Sequence, residues 1–433
     1  MEVSLRAACV RAKAKVLFLK PLRSPALSAI AFDLRAVCDG LRAFAEAEVM
    51  PRHERHRELF ENPRWLYDAD GRHCAEAAAA MAEVRRAAAE AGYYGMCVPE
   101  SLGGGGLGLL AYYVGWQELF HLCGPRNWLV HWVISHWAFG PSRVLARATP
   151  EAREAFVDPM MRGKRSMCFG LSEPGAGSDA AMIKTKATPD GDGWRLNGRK
   201  IWTTNAPLAD FCLLFAVTDP EAAAARRGGI SAFLVPTHAP GFEIQRVVRF
   251  FGHIGGDEAE LRFEDLRIEP WQLLGELHKG FATAVQGVSL GRIYNSAKAV
   301  GIGRWALEQA IDYAGLRDSF DAKIADHQGV SFPLAERATE LHAAHLMGLN
   351  AAKLLDDGQA AVKEVAMTKL YSVERGAAAC DTAMQTHGAM GFTNEMGLTE
   401  AWQICRVINV ADGTNEIMKR TIAQRLMKGD TEL

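Results

Sequence analysis

Sixteen of the 17 prolines lie at or before Pro270, and the 163 residues from Trp271 to Leu433 hold only Pro333. Proline removes a helical N–H and clashes with the preceding turn, so a nearly proline-free tract of this length permits long helices. Val362, Val365, Ala366, Leu370 and Val373 recur at helical spacing in an Ala-, Lys- and Glu-rich segment, which predicts a helical bundle for the last third. The stretch from Ile30 to Gly163 is helical in pattern as well, over Ala36–Val49, Ala75–Ala91 and Leu107–Leu122. Between the two blocks the texture changes. Gly193–Thr204, Phe211–Thr218, Ile230–Pro236, Phe242–Phe250 and Glu260–Ile268 are short β-rich runs bounded by Gly, Pro or Asp. With no helix between them, an antiparallel sandwich or barrel is expected, and Glu221–Gly229 reads as a solvated loop. The fold class is α+β: a leader over 1–29, an N-terminal helical domain over 30–165, a central β domain over 166–275, and a C-terminal four-helix bundle over 276–433.

Composition narrows the function. The 49 Lys+Arg nearly cancel the 51 Asp+Glu, so the basic excess of a nucleic-acid binder is missing. Apolar residues at 49% give enough material for a sizeable core. Nine cysteines, odd in number and without a C-x-x-C pair, read as reduced thiols with no metal ribbon. No apolar run reaches the roughly 18–20 residues a membrane span needs; Trp128–Pro141 is interrupted by His131 and His136. Arg6, Arg11, Lys13, Lys15, Lys20 and Arg23 against Glu2 make the first 30 residues basic. That bias suits a transit peptide, a solvated tail or an over-extended start, so the compartment is expected to be cytoplasmic, or mitochondrial in the first case.

Three formal motif matches fail on context. Gly103–Gly108 fits G-x-G-x-x-G, but its flanks are helical and Pro99 and Glu100 precede it, so it reads as an inter-helix turn. Gly287-Val-Ser-Leu-Gly291 fits the nucleophile elbow, yet Phe281–Leu316 reads as one helix, which places Ser289 on a helical face. His342 and His345 have ligand spacing without a third ligand nearby, so no metal is expected.

Three other segments carry more. Cys168–Asp179 is a Gly/Ser-rich turn whose backbone can approach a planar ring or a phosphate closely. Trp202-Thr-Thr-Asn205 sets an indole beside hydroxyls at a strand end. Val410-Ala-Asp-Gly-Thr-Asn-Glu416 places a carboxylate in an apolar approach before a helix. Taken singly, each reads equally as a turn, a core tryptophan or a helix cap.

In this order the segments resemble the acyl-CoA dehydrogenase family of flavoproteins, over about residues 30–428. Pro99–Gly104 looks like that family's early turn. Ser172–Asp179 matches its first signature, with Met182 where a small residue is usual. Leu196–Asn205 resembles its β-domain hairpin, and Phe263–Glu276 its approach to the bundle. Arg317–Phe320 with His327-Gln328, and Gln385–Phe392, match its later FAD-contacting segments.

The resemblance implies FAD as cofactor and an acyl-CoA as substrate. Phe169, Leu171, Ser172, Gly177 and Ser178 would line the flavin, Ser178 at its junction with the acyl-CoA. Trp202 would cover one ring face and Thr204 would bond near N5. Arg317, Phe320, Gln328, Gln385 and Gly388 would serve the FAD, Arg317 and Gln385 reaching that of a neighbouring subunit, which implies a homodimer or homotetramer. Thr414 and Glu416 would lie toward the adenine end. Ser289, Arg292 and Gly413 would meet the substrate, Arg292 at its CoA moiety. An electron-transfer flavoprotein is the implied acceptor, with oxygen as the other candidate.

Most members carry Glu before Gly-Thr in the last segment; here it is Asp412. Relatives that move the base place Glu just before the bundle-helix arginine, a position occupied here by Gly291, so Asp412 is the expected base. Being one methylene shorter, it calls for a reshaped pocket. Trp116, Gln117 and Glu118 lie on the helix that borders the acyl tail in this family, where the tryptophan either shortens the pocket or packs the core. Two alternatives within the fold are a flavin oxidase of small C–H acids such as nitroalkanes, and a non-catalytic relative.

Overall fold

The structure, a computed structural model, describes residues 25–250 and 257–432. The expected leader falls outside the described residues except for its last five positions, which open helix α1 (Pro25–Phe44). The N-terminal block continues with α2 (Ala75–Glu90) and α3 (Gly108–Cys123). Alanines dominate α2, and Thr149, Asp219 and Thr414 cap short or later helices through their side-chain oxygens. Gly103 turns the chain between α2 and α3 at φ +83°, as expected of an inter-helix turn.

The central domain is a seven-stranded sheet: β1 (Met167–Gly170), β2 (Lys186–Asp190), β3 (Gly193–Thr203), β4 (Phe211–Val217), β5 (Ile230–Pro236), β6 (Phe242–Val248) and β7 (Glu258–Ile268). Its order is β1-β4-β2-β3-β7-β6, with β5 on β4. Two details correct the sequence reading. The sheet is mixed: β1 runs parallel to β4 from Met167↔Phe211 to Gly170↔Leu214, and β2 meets β4 in parallel at Lys186↔Val217. The four residues of β1 lie too close to the glycine-rich turn to show a strand period, so this pairing left no local trace. The Glu221–Gly229 stretch is mostly exposed, but it opens with a helical turn, Pro220–Ala224, that Asp219 caps.

β4 is buried along its whole length, as a continuous apolar run should be. Phe211, Leu213, Phe215 and Val217 point into the core shared with the helices, and Cys212, Leu214 and Ala216 into the sheet's own inner core.

The C-terminal part consists of α4 (Gly280–Leu316), α5 (Gln328–Asp356), α6 (Val362–His387), α7 (Leu398–Val407) and α8 (Asn415–Met427). Helix α4 has 37 residues, about 55 Å at 1.5 Å per residue. It packs against α3, α5, α6 and α7 and so joins both helical blocks. Close approach of α4 and α6 needs glycine: a Cβ at Gly376 would stand 2.6 Å from the Ala299 carbonyl oxygen. No described helix is long and apolar enough to cross a membrane.

Candidate active site

The glycine-rich turn and the carboxylate loop meet on one face of α4. Phe169, on β1, packs edge-on against Trp137 with ring centroids 4.9 Å apart, and both rings abut Gly287. One helical turn later, at Gly291, the neighbour is the carboxylate of Asp412. The two are therefore about 6 Å apart along the helix axis.

The turn after β1 hangs on a buried ion pair. Lys200, fully buried on β3, donates to Glu173 Oε1 at 2.8 Å and to the Leu171 carbonyl at 3.0 Å. Glu173 also accepts from the main-chain N–H groups of Lys184 (2.6 Å) and Thr185 (2.9 Å). Burial pushes the Glu173 carboxyl up, but Lys200 and these donors outweigh it and hold it below the ordinary range. Burial brings Lys200 down to about 8. The Ile201 N–H bonds the Ser172 carbonyl at 2.9 Å, tying the hairpin to the turn. Leu171 is buried, Phe169 and Ser172 are half-buried, and Gly177 and Ser178 face solvent. Asp179 is held by Arg226 at 3.1 Å, and Met182 is exposed.

Trp202 has φ +59° and Asn205 φ +67°, left-handed conformations that cost a non-glycine residue on the order of 1 kcal/mol or more. Asn205 Nδ2 offsets part of this by donating to the Met167 carbonyl at 2.8 Å. The result is a half-exposed indole, stacked beside Phe250 at 5.9 Å. Next to it Thr203 Oγ1 is buried without a hydrogen-bond partner among the described residues, and Thr204 is half-buried. A Cβ at Gly175 or Gly177 would meet nothing within 4 Å. An open turn, a half-exposed indole and an orphaned hydroxyl fit the edge and face of a bound flavin ring.

Asp412 has φ +52° and Gly413 φ +96°. Arg292 Nε donates to the Asp412 carbonyl at 3.0 Å, and Lys369 Nζ to the carbonyls of Gly413 (2.9 Å) and Asn409 (3.0 Å). Asn295 Nδ2 donates to Asp412 Oδ2 at 2.8 Å. Burial raises the Asp412 carboxyl to about 6 against the pull of Arg292, Lys369 and Asn295. A group at that level takes up a proton far more readily than an ordinary aspartate. Thr414 caps α8 by accepting from the Ile417 N–H, and Glu416 is exposed in that helix's first turn.

Other expected residues lie elsewhere. Ser289 Oγ bonds the Val285 carbonyl of its own helix at 2.9 Å, so the nucleophile elbow is absent. His345 is buried on Gln117 Oε1 while His342 is exposed, and no group of three metal-ligating side chains occurs among the described residues. Arg317, Phe320, Gln328, Gln385 and Gly388 are exposed near the far end of α4. That end is roughly 37 Å along the axis from Gly291, beyond reach of the Asp412 site in the same chain. Trp116 is fully buried, edge-on to Tyr294 and Tyr112, so it packs the core.

Three residues of this constellation were not singled out from sequence: Lys200, Asn295 and Lys369. Period-2 spacing from Leu196 places Lys200 on the buried side of its strand, and helical phase places Lys369 between the apolar Ala366 and Val373. Asn295 stands four residues beyond Gly291, on the same helical face.

This scaffold and site define a three-part flavoprotein dehydrogenase. Family models for the N-terminal, middle and C-terminal domains of acyl-CoA dehydrogenase match residues 33–164, 168–266 and 278–427. The chain belongs to the acyl-CoA dehydrogenase family, FAD-dependent oxidoreductases that act on CH–CH bonds. It is 38% identical over 337 residues to the human mitochondrial short-chain specific acyl-CoA dehydrogenase, covering 78% of this chain and 80% of that one. It is 35% identical to the caffeyl-CoA reductase–Etf complex subunit CarC of Acetobacterium woodii, over 78% of this chain and 88% of that one. It is 32% identical to a 3-(aryl)acrylate reductase of Clostridium sporogenes, over 89% and 96%. The butyryl-CoA dehydrogenase structure from Megasphaera elsdenii superimposes with a TM-score of 0.77 at 25% identity, over 91% of this chain and 98% of that one.

Proposed function

We propose that the enzyme dehydrogenates an acyl-CoA thioester with Asp412 removing the α-proton, and that bound FAD would supply the acceptor for the β-hydride. The observation that carries this reading is the position of Asp412: a carboxylate of raised basicity, one helical turn from Phe169 on the same face of α4. Bound FAD supplies the two-electron acceptor. The protein supplies the rest. Asp412 Oδ1 takes the proton, its main-chain N–H donates to the thioester carbonyl as negative charge develops there, and the surrounding rings exclude water. Phe169, Ser172, Gly177, Ser178, Trp202 and Thr204 hold the flavin end. Arg317, Phe320, Gln328, Gln385 and Gly388 hold the FAD of a second subunit, which makes the working form a dimer or a tetramer built of dimers. Arg292 and Gly413 stand beside the thioester, and an electron-transfer flavoprotein reoxidises the enzyme.

The walls near Asp412 point to the acyl group. Tyr112, Trp137 and Leu290, the residue before Gly291 in α4, line a narrow cleft. Beyond it Trp116, Phe120, His131, His136 and Tyr294 interlock as rings. We read this packed ring cluster as the closed far end of the acyl site, which favours a short or aryl-bearing acyl group over a long alkyl tail. Anaerobic flavin bleaching by butyryl-CoA or 3-phenylpropionyl-CoA, and not by palmitoyl-CoA, is the expected pattern. Bleaching by palmitoyl-CoA alone would overturn the substrate class, and peroxide formed from a nitroalkane without a CoA ester would overturn the reaction.

A further inference from the structure

Asp412 is a methylene shorter than the usual glutamate, and the structure shows how the gap is closed. The loop leans onto α4 until the carboxylate rests on the helix itself. A Cβ at Gly291 would stand 2.2 Å from Asp412 Oδ2 and 2.5 Å from its Cγ, so a side chain there would drive the carboxylate off. The two nearby cations do not hold the carboxylate: Arg292 and Lys369 spend their hydrogen bonds on carbonyl oxygens of the loop. Among the described residues the side chain that bonds the carboxylate is Asn295, itself buried, four residues along the same face of α4.

We propose that Asn295 is the positioning residue of the base, and that Gly291 is the gap that lets the shorter carboxylate dock against it. The proposal rests on the reading of Asp412 as the base. Asn295 occupies Oδ2 and leaves Oδ1 to receive the proton. A neutral donor orients the carboxylate yet holds its charged form less strongly than a cation would, so orientation is gained with most of the basicity kept. The other groups that face Asp412 are Arg292 and Tyr294 on α4, Lys369 on α6 and Tyr112 on α3. The tyrosines are buried phenols held neutral far above working pH, Arg292 is fixed on a main-chain carbonyl, and Lys369 on two main-chain carbonyls and Asn415 Oδ1, so these groups stay in place when Asn295 is changed.

The test uses FAD-loaded Asn295→Leu and the smaller Asn295→Ser, either of which serves if the other fails to fold, with butyryl-CoA and 3-phenylpropionyl-CoA as probes. The acidic limb of the kcat/KM profile should move upward, and the rate of flavin reduction on its plateau should fall at least tenfold with KM changed less than threefold. Gly291→Ala should lose rate to a similar degree with its flavin content intact, although alanine favours helix more than glycine. An unmoved acidic limb in the Asn295 variant, or full activity in Gly291→Ala, would overturn the proposal. Asp412→Ala is run alongside: if it still reduces the flavin, the base assignment fails, whereas an inactive Asp412→Ala with an unmoved Asn295 profile removes only the positioning role.

Discussion

Replacing Lys200 by methionine should loosen the flavin-side turn although Lys200 does not itself face the ring. The side chain is fully buried and has two partners, Glu173 Oε1 at 2.8 Å and the Leu171 carbonyl at 3.0 Å. Breaking a buried ion pair from one side costs about 3–5 kcal/mol, because the other charge is left uncompensated. Glu173 keeps its bonds from the Lys184 and Thr185 N–H groups, which favours the lower end, about 3 kcal/mol. At roughly 1 °C per kcal/mol for a 433-residue chain, from about 2.1 cal/mol/K of unfolding entropy per residue, the thermal midpoint should drop about 3 °C. The Ser172–Asp179 turn should release FAD at lower temperature, read as flavin fluorescence in the same scan. Pairing Lys200→Met with Glu173→Gln removes the orphaned charge while keeping an acceptor for both N–H groups, and should recover most of the loss. A midpoint within about 1 °C of wild type for Lys200→Met, with full flavin content, would refute the argument.

Two further expectations follow from the same chain of contacts. Asp412 titrates near 6 in the folded protein against about 4 unfolded, so the native state binds its proton more tightly and the group's contribution is lost as pH rises through that window. Asp412→Asn should therefore gain on wild type by roughly 2 kcal/mol between pH 4 and pH 7, read as a widening gap in thermal midpoints; a constant gap would contradict it. Gly376→Val should lower stability by about 1–3 kcal/mol, since the α4–α6 crossing leaves a Cβ only 2.6 Å from the Ala299 oxygen; an unchanged thermal midpoint would show that the helices slide apart freely.

Much of the architecture was legible because it is written in local terms. Proline placement and the apolar period mark α4, α5 and α6, and five of the seven strands carry their own turn signals. The parallel β1–β4 pair was not legible, since a four-residue strand joins a partner some 40 residues away and no local period records the pairing. The site divides in the same way. Asp412, Phe169 and Trp202 stand in motifs, whereas Asn295, Lys369 and Lys200 act through contacts 117, 44 and 27 residues distant in the chain. Arg292 shows the remaining gap: its sequence position suggested a CoA contact, and the structure adds a bond to the Asp412 loop that spacing alone did not reveal. Gly291 reads in sequence as a missing base, and in space as the gap that Asp412 requires.

The central claim is that Asp412 takes the proton. The direct measurement is anaerobic flavin absorbance on mixing FAD-loaded protein with butyryl-CoA or 3-phenylpropionyl-CoA, for wild type and Asp412→Ala. Wild type should bleach with at least one of them. Asp412→Ala should bind the same ester, seen as a perturbed flavin spectrum, and fail to bleach, its rate down at least a thousandfold. Bleaching at the wild-type rate in Asp412→Ala would contradict the account.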